Sequence, residues 1–218
     1  MGKVAASITA AALIEKFKVE KIIFTGLAGA ISKDLNRGDI VLCDQTYQHD
    51  VDARPLCAEQ FEVPLTGRSL FQFHIDEIKL ARTAIENFIH KLVNYVDLND
   101  LKNLNIVEPK LHVGIIATGD QFIQDIANHK NFKIKGMEAM AVEMEGAAVA
   151  QVCAEYQIPY ILIRTISDRA DESAIVSLQD FSVKVASRYA SGIVQEILKL
   201  SEILMYFNLA GNKNLIIE

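Results

Sequence analysis

Apolar residues recur at helical spacing from Val4 to Phe17, through Ile8, Ala11, Ala12 and Leu13, so the chain is predicted to open on a helix. The run Lys-Ile-Ile-Phe-Thr at 21–25 then reads as a buried strand. Three further continuous apolar runs, 39–44 (DIVLCD), 111–118 (LHVGIIAT) and 160–166 (YILIRTI), carry the pattern of strands covered on both faces. Between them, Ile75 to Val96, Glu145 to Tyr156 and Leu178 to Leu204 keep a 3.6-residue period. This alternation predicts an α/β fold with a largely parallel sheet. The polar stretch from Asn99 to Lys110 reads as a connecting loop, and no internal repeat is visible. One domain is expected over 1–204, followed by a tail, 205–218, in which Gly211 and asparagines interrupt an apolar composition.

Charge and cysteine content narrow the partners. Against 28 acidic residues stand 22 basic ones, a net charge of −6, which offers no counter-charge to a nucleic-acid backbone. The three cysteines, Cys43, Cys57 and Cys153, are far apart and show no metal-ligand spacing, so they are expected to be reduced thiols in a cytoplasm. No apolar run reaches 18 residues and the start MGKVAAS does not read as a secretory signal, so no membrane partner is expected.

Ligands of open α/β sheets collect at the carboxyl ends of strands. The first strand runs into Gly26-Leu27-Ala28-Gly29-Ala30, which reads as a tight turn where backbone can approach a ligand. Neither GxGxxG nor GxxxxGK[ST] is present, so no dinucleotide or triphosphate fingerprint accompanies it. After the strand at 111–118, Phe122 and Ile123 could sandwich a flat base or simply join the core. Glu143 and Glu145 flank Met144 in an apolar stretch, where carboxylates are costly unless paired or bound to ligand. A carboxylate suits the vicinal hydroxyls of a ribose, since its oxygens accept two hydrogen bonds; the alternative is a pair of helix N-terminal acids. Asp168, following Ser167 at the end of an almost uninterrupted apolar strand, is expected to be able to hold a proton at neutral pH and so to protonate a purine leaving group, or else to be an N-cap. Arg164, on the same strand, is placed to balance Asp168 or a neighbouring acid. Asp171 and Glu172 read as solvated loop acids, and the histidines show no metal-ligand spacing, most of them reading as surface residues.

Taken together, TGLAGA at 25–30, ATGDQFI at 117–123 and AVEMEGAAVAQVCAEYQIPYILIRTISDRAD at 141–171 resemble the 5′-methylthioadenosine/S-adenosylhomocysteine nucleosidases, over a span from Gly2 to about Leu200. The resemblance implies a nucleoside phosphorylase-like fold, a twisted mixed sheet flanked by helices, working as a homodimer that cleaves adenine from its nucleosides with water and neither metal nor cofactor. It implies Asp168 as general acid to adenine N7 steadied by Ser167, Phe122 and Ile123 against adenine, Met144 and Glu145 as the ribose clamp, and the Ala28 and Gly29 backbone near the ribosyl centre. The segment 49–56 (HDVDARPL), continuing to Gly67, resembles the region that closes the alkylthio pocket across the dimer. Where related phosphorylases carry a phosphate-holding arginine before the Gly turn, this sequence has Phe24. The resemblance also implies an earlier strand and Gly turn bearing a water-activating glutamate, so the sequence reads as an N-terminally incomplete member. That reading leaves two alternatives, a non-catalytic nucleoside-binding or dimerisation protein and a purine nucleoside phosphorylase.

Overall fold

The computed structural model describes residues 1–123, 131–168 and 178–213, the last helix beyond residue 203 by its backbone alone. Helix α1 (Lys3–Phe17) closes at Lys18, whose left-handed backbone (φ 52°) returns its N–H to Ile14 O. Strand β1 (Ile22–Ala30) is followed by β2 (Ile40–Gln48) and the short β3 (Phe71–Gln72). Helix α2 (Ile75–His90) starts on His74, whose ring accepts the Asp76 N–H, and has Asp76 and Glu77 in its first turn, where the helix dipole favours acids. It ends before Val96: a 3-10 turn at Leu92–Asn94 interrupts the expected periodicity. Part of the expected 99–110 loop is helical, α3 (Leu98–Asn103), because the Asp97 carboxylate caps Asn99 N.

Strand β4 (Leu111–Thr118) has the bounds its apolar run predicts, and a hairpin of β5 (Lys133–Ile134) and β6 (Met137–Glu138) precedes β7 (Ala141–Glu143). Helix α4 (Gly146–Tyr156) and β8 (Tyr160–Asp168) follow. Helix α5 (Leu178–Phe181), a π turn at Ser182–Ala186 and α6 (Ser187–Lys213) complete the described chain. The expected boundary at 204 falls inside α6; residues 214–218 lie outside the described residues.

Two features of the sheet shape the site. The segment 26–30 is not a turn: β1 continues through it, pairing with β8 residue for residue from Ile22↔Tyr160 to Ala28↔Ile166, then shifting register so that Gly29 faces Asp168. The sheet is also mixed, with its longest ladders parallel. The pairs β1–β8, β2–β4 and β4–β7 are parallel, whereas β1–β7, β2–β3 and β2–β8 are antiparallel. Because β2 pairs with β8 at Ile40–Leu42 as well as with β4, the strands β2-β4-β7-β1-β8 close on themselves.

Successive residues of β2 and β8 enter opposite cores, as buried-on-both-faces strands must. Ile40, Leu42, Ile161 and Ile163 pack with Phe88, Tyr189 and Ile193 of α2 and α6, while Val41, Cys43 and Leu162 pack with Ile14 and Val149 of α1 and α4. A third cluster of Tyr47, Ile115, Ala117, Ile123 and Phe132 lies toward the strand ends. All three cysteines are free. His49 is buried at 3% exposure, unlike the surface placement expected of most histidines, and its ring meets Phe132 edge-on. No helix among the described residues is long and apolar enough to cross a membrane.

Candidate active site

The ends of β1, β4, β7 and β8 surround a cavity of about 330 Å³, lined by Leu27, Ala28 and Gly29, by Phe122 and Ile123, by Glu143, Met144 and Glu145, and by Ser167 and Asp168. All nine expected substrate and acid positions therefore border one space. A second cavity, of about 370 Å³, lies between α1 and β1 and shares Met1, Leu27 and Glu145 with the first. Among the described residues no three His, Cys, Asp or Glu side chains converge as a metal ion would require.

Asp168 is the last residue of β8, and the segment that its N-cap alternative concerns lies outside the described residues. The Ser167 hydroxyl donates to Asp168 Oδ2 at 2.5 Å and lies 3.4 Å from Ala28 O on the neighbouring strand. Asp168 and Ser167 both line the cavity. Arg37 stands close enough to feel its charge: burial lowers the Arg37 guanidinium from its ordinary value and the Asp168 carboxylate partly restores it. The Arg37 guanidinium also stacks over the Phe181 ring at 4.8 Å, a neighbour that no local sequence pattern marks.

Phe122 is half exposed, with 51% of its surface open, whereas Ile123 is buried. This pair therefore offers one ring free to cover a ligand and one side chain fixed in the core. Met144 and Glu145 sit between β7 and α4, where the Glu145 N–H donates to Glu143 Oε2 at 3.1 Å.

Glu143 takes one of the two roles its sequence allows, that of a helix N-terminal acid. Both of its oxygens accept the Gly146 N–H at 2.8 Å, Oε1 accepts the Thr118 hydroxyl, and Oε2 accepts Arg164 Nη2 at 2.6 Å and Nε at 3.2 Å. Thr118 in turn accepts the Ala147 N–H at 2.8 Å. Glu143 thus caps α4, neutralises Arg164 and, by accepting the Glu145 N–H, positions Glu145. Arg164 balances Glu143 and not Asp168. Its guanidinium lies across Gly26, where a Cβ would come within 3.2 Å of Nη1, and stacks on Phe24 at 4.3 Å. Asp171 and Glu172 lie outside the described residues.

A closed mixed sheet, wrapped by helices, with a carboxyl-lined cavity at its strand ends is the architecture of one nucleoside-processing class, and residues 1–199 match the family model described as Phosphorylase superfamily. The 5′-methylthioadenosine/S-adenosylhomocysteine nucleosidase of Staphylococcus haemolyticus is 34% identical over 200 residues, 92% of this chain and 78% of that one. The crystal structure of the enzyme of that name from Neisseria meningitidis, in complex with methylthio-immucillin-A, superposes with a TM-score of 0.74 at 32% identity, covering 91% of this chain and 78% of that one. Futalosine hydrolase of Helicobacter pylori superposes with a TM-score of 0.72 at 30% identity, covering 91% and 76%. The chain belongs to the 5′-methylthioadenosine/S-adenosylhomocysteine nucleosidase family of that superfamily.

Proposed function

We propose that the chain hydrolyses the N-glycosidic bond of adenine nucleosides, with 5′-methylthioadenosine and S-adenosylhomocysteine as its substrate class. The observation that carries this reading is the placement of Asp168, fixed by Ser167, and Glu145 on one cavity of about 330 Å³, a volume suited to a small molecule. Adenine lies against Phe122 and the Ile123 backbone, the ribose hydroxyls meet Glu145 beside Met144, and the Ala28 and Gly29 backbone passes near C1′. As the N9–C1′ bond breaks, its electron pair goes to adenine, whose N7 takes the Asp168 proton. Water captures the oxocarbenium-like C1′, and the proton that this water releases restores the Asp168 acid through solvent. Glu145 and the ionised Asp168 favour the positive ribosyl centre more than the neutral substrate, which is where rate enhancement arises.

Hydrolysis fits this lining better than phosphorolysis. Among the described residues the charged side chains that line this cavity and the adjoining one are Glu143, Glu145, Asp168 and Arg164, and Arg164 is already neutralised by Glu143 and covered by Phe24. An anionic nucleophile would be repelled by the Glu145 and Asp168 carboxylates that line the cavity. In this reading residues 1–204 act as one domain in a cytoplasmic homodimer. Leu56 at 91% and Leu65 at 106% exposure supply apolar surface for the second copy, in the segment that follows His49 and Asp50. The test is adenine release from 5′-methylthioadenosine in phosphate-free buffer, with free methylthioribose expected as the second product; dependence on phosphate would point to phosphorolysis, and binding without release to a non-catalytic protein.

A further inference from the structure

The start of α1, the loop after β2 and the loop after β4 meet beside Glu145 through bonds that the reaction as described does not use. The Gly2 N–H donates to Glu145 Oε1 at 2.7 Å. One residue on, the Lys3 N–H donates to Asp120 Oδ1 at 2.8 Å, and the Asp120 N–H donates to Asp50 Oδ2 at 2.9 Å. Asp50 Oδ1 then accepts the Lys3 ammonium at 2.6 Å, which closes the ring of contacts on the residue where it began. Lys3, Asp50 and Asp120 are separated by 47 and 117 positions from Lys3 onward, so the ring ties three remote segments together.

Several features distinguish this ring from an ordinary surface ion pair. The Lys3 and Asp50 side chains are only 16% and 20% exposed, so water screens them less than it would a free pair. Burial pushes the Asp50 carboxyl up, yet the Lys3 hydrogen bond, the Asp120 N–H and the Lys3 charge together bring it below its ordinary value. Gly2 is held at φ 94°, and a Cβ there would lie 2.9 Å from Asp120 Oδ1, so the approach of this backbone to Glu145 depends on the absence of a side chain. The other end of Glu145 is fixed as well, by its N–H on Glu143.

We propose that Lys3, Asp50 and Asp120 are positioning residues that hold the Gly2 amide against Glu145 and so set the orientation in which Glu145 receives the ribose hydroxyls. The inference rests on the reading of Glu145 as the ribose clamp. A glutamate has three side-chain torsions, and a bond at Oε1 orders them before substrate arrives, while Oε2 stays open to a diol. Ordering in advance removes a cost otherwise met on binding. Because the ring touches the clamp and not the adenine subsite, its loss is felt by ribosides and not by the free base.

The test is calorimetric binding of 5′-methylthioadenosine and of adenine, in an Asp168→Asn background that prevents turnover, with melting temperature measured for each variant. Lys3→Met and Asp120→Ala are expected to weaken 5′-methylthioadenosine about threefold to tenfold, the effect of one lost hydrogen-bonded contact, and to leave adenine unchanged. Asp120→Asn, whose Oδ1 still accepts the Lys3 N–H, is expected to retain the parent affinity. Glu145→Gln separates the two levels of the argument. If it leaves riboside affinity unchanged, the clamp reading falls and the positioning ring with it. If it weakens ribosides while Lys3→Met and Asp120→Ala do not, the ring alone is overturned. Equal loss of riboside and adenine binding, or failure of Asp120→Asn to restore, also overturns it.

Discussion

Arg164 Nη2 and Glu143 Oε2 meet at 2.6 Å between β8 and β7, with each side chain only 2% exposed. Neither group is left as a bare buried charge, since Phe24 covers the guanidinium and Thr118 with the α4 amides completes the carboxylate. This pair fixes the N-terminus of α4, and with it Glu145, relative to the strand that ends in Asp168.

Removing one partner strands the other. Glu143→Ala is expected to cost about 3–5 kcal/mol of unfolding free energy, the range for breaking a buried pair. Urea unfolding measures it. The double variant Glu143→Gln with Arg164→Met should lose less than the sum of the single losses, because each removes the charge that the other would leave unpaired. A loss from Glu143→Ala within the range of ordinary surface substitutions would mean that the pair does not hold the strand ends together.

Gly26→Ala probes the same arrangement from the backbone. The added methyl would lie 3.2 Å from Arg164 Nη1 and 3.3 Å from Cζ, so the guanidinium must shift off Phe24. A destabilisation of about 1–3 kcal/mol is expected, as for overpacking elsewhere. An unchanged thermal midpoint would show that Arg164 relocates without cost.

Glu196 gives the chain a pH dependence that can be assigned to one group. Hydrogen bonds from Lys199 and then Tyr95 outweigh burial and, with Lys91, bring its carboxyl down from 4.5 to about 2. The folded value is the lower one, so the stabilisation is complete above pH 4.5 and fades as pH falls toward 2. Lys91 and Lys199 are half exposed, which keeps the contribution modest. Glu196→Gln should therefore melt below the parent at pH 6, with the gap closing as the pH approaches 2. A gap that stays constant with pH would contradict the assignment.

Leu56 tests the homodimer. Sedimentation velocity is expected to find the parent as a dimer, and Leu56→Asp to shift it toward monomer with little change in the melting of the isolated fold. A parent that sediments as a monomer at micromolar concentration would remove the second copy from the account.

Much of this architecture is legible in local pattern. The run 111–118 becomes β4 with the same bounds, and the helical spacing from Val4 becomes α1. What local pattern misreads is set by distant partners. Glycines at 26 and 29 look like a turn, but pairing with β8 carries β1 through them, and Gly26 is needed because a guanidinium 138 positions away in sequence lies over it. Glu143 and Glu145 look equivalent in sequence. Only the neighbour that each acquires, Arg164 for one and the Gly2 amide for the other, separates a helix-capping acid from a candidate clamp. The α3 signal is local, an aspartate cap at Asp97, but it stands just ahead of a stretch, 99–110, whose polarity reads as a loop.

The most direct measurement is the rate of adenine release from 5′-methylthioadenosine, in phosphate-free buffer, by the parent chain and by Asp168→Asn. Loss of a general acid predicts that turnover falls about 10²- to 10⁴-fold while the Michaelis constant changes far less. Equal turnover in the two proteins would contradict the account, and the proton for adenine N7 would have to come from another group.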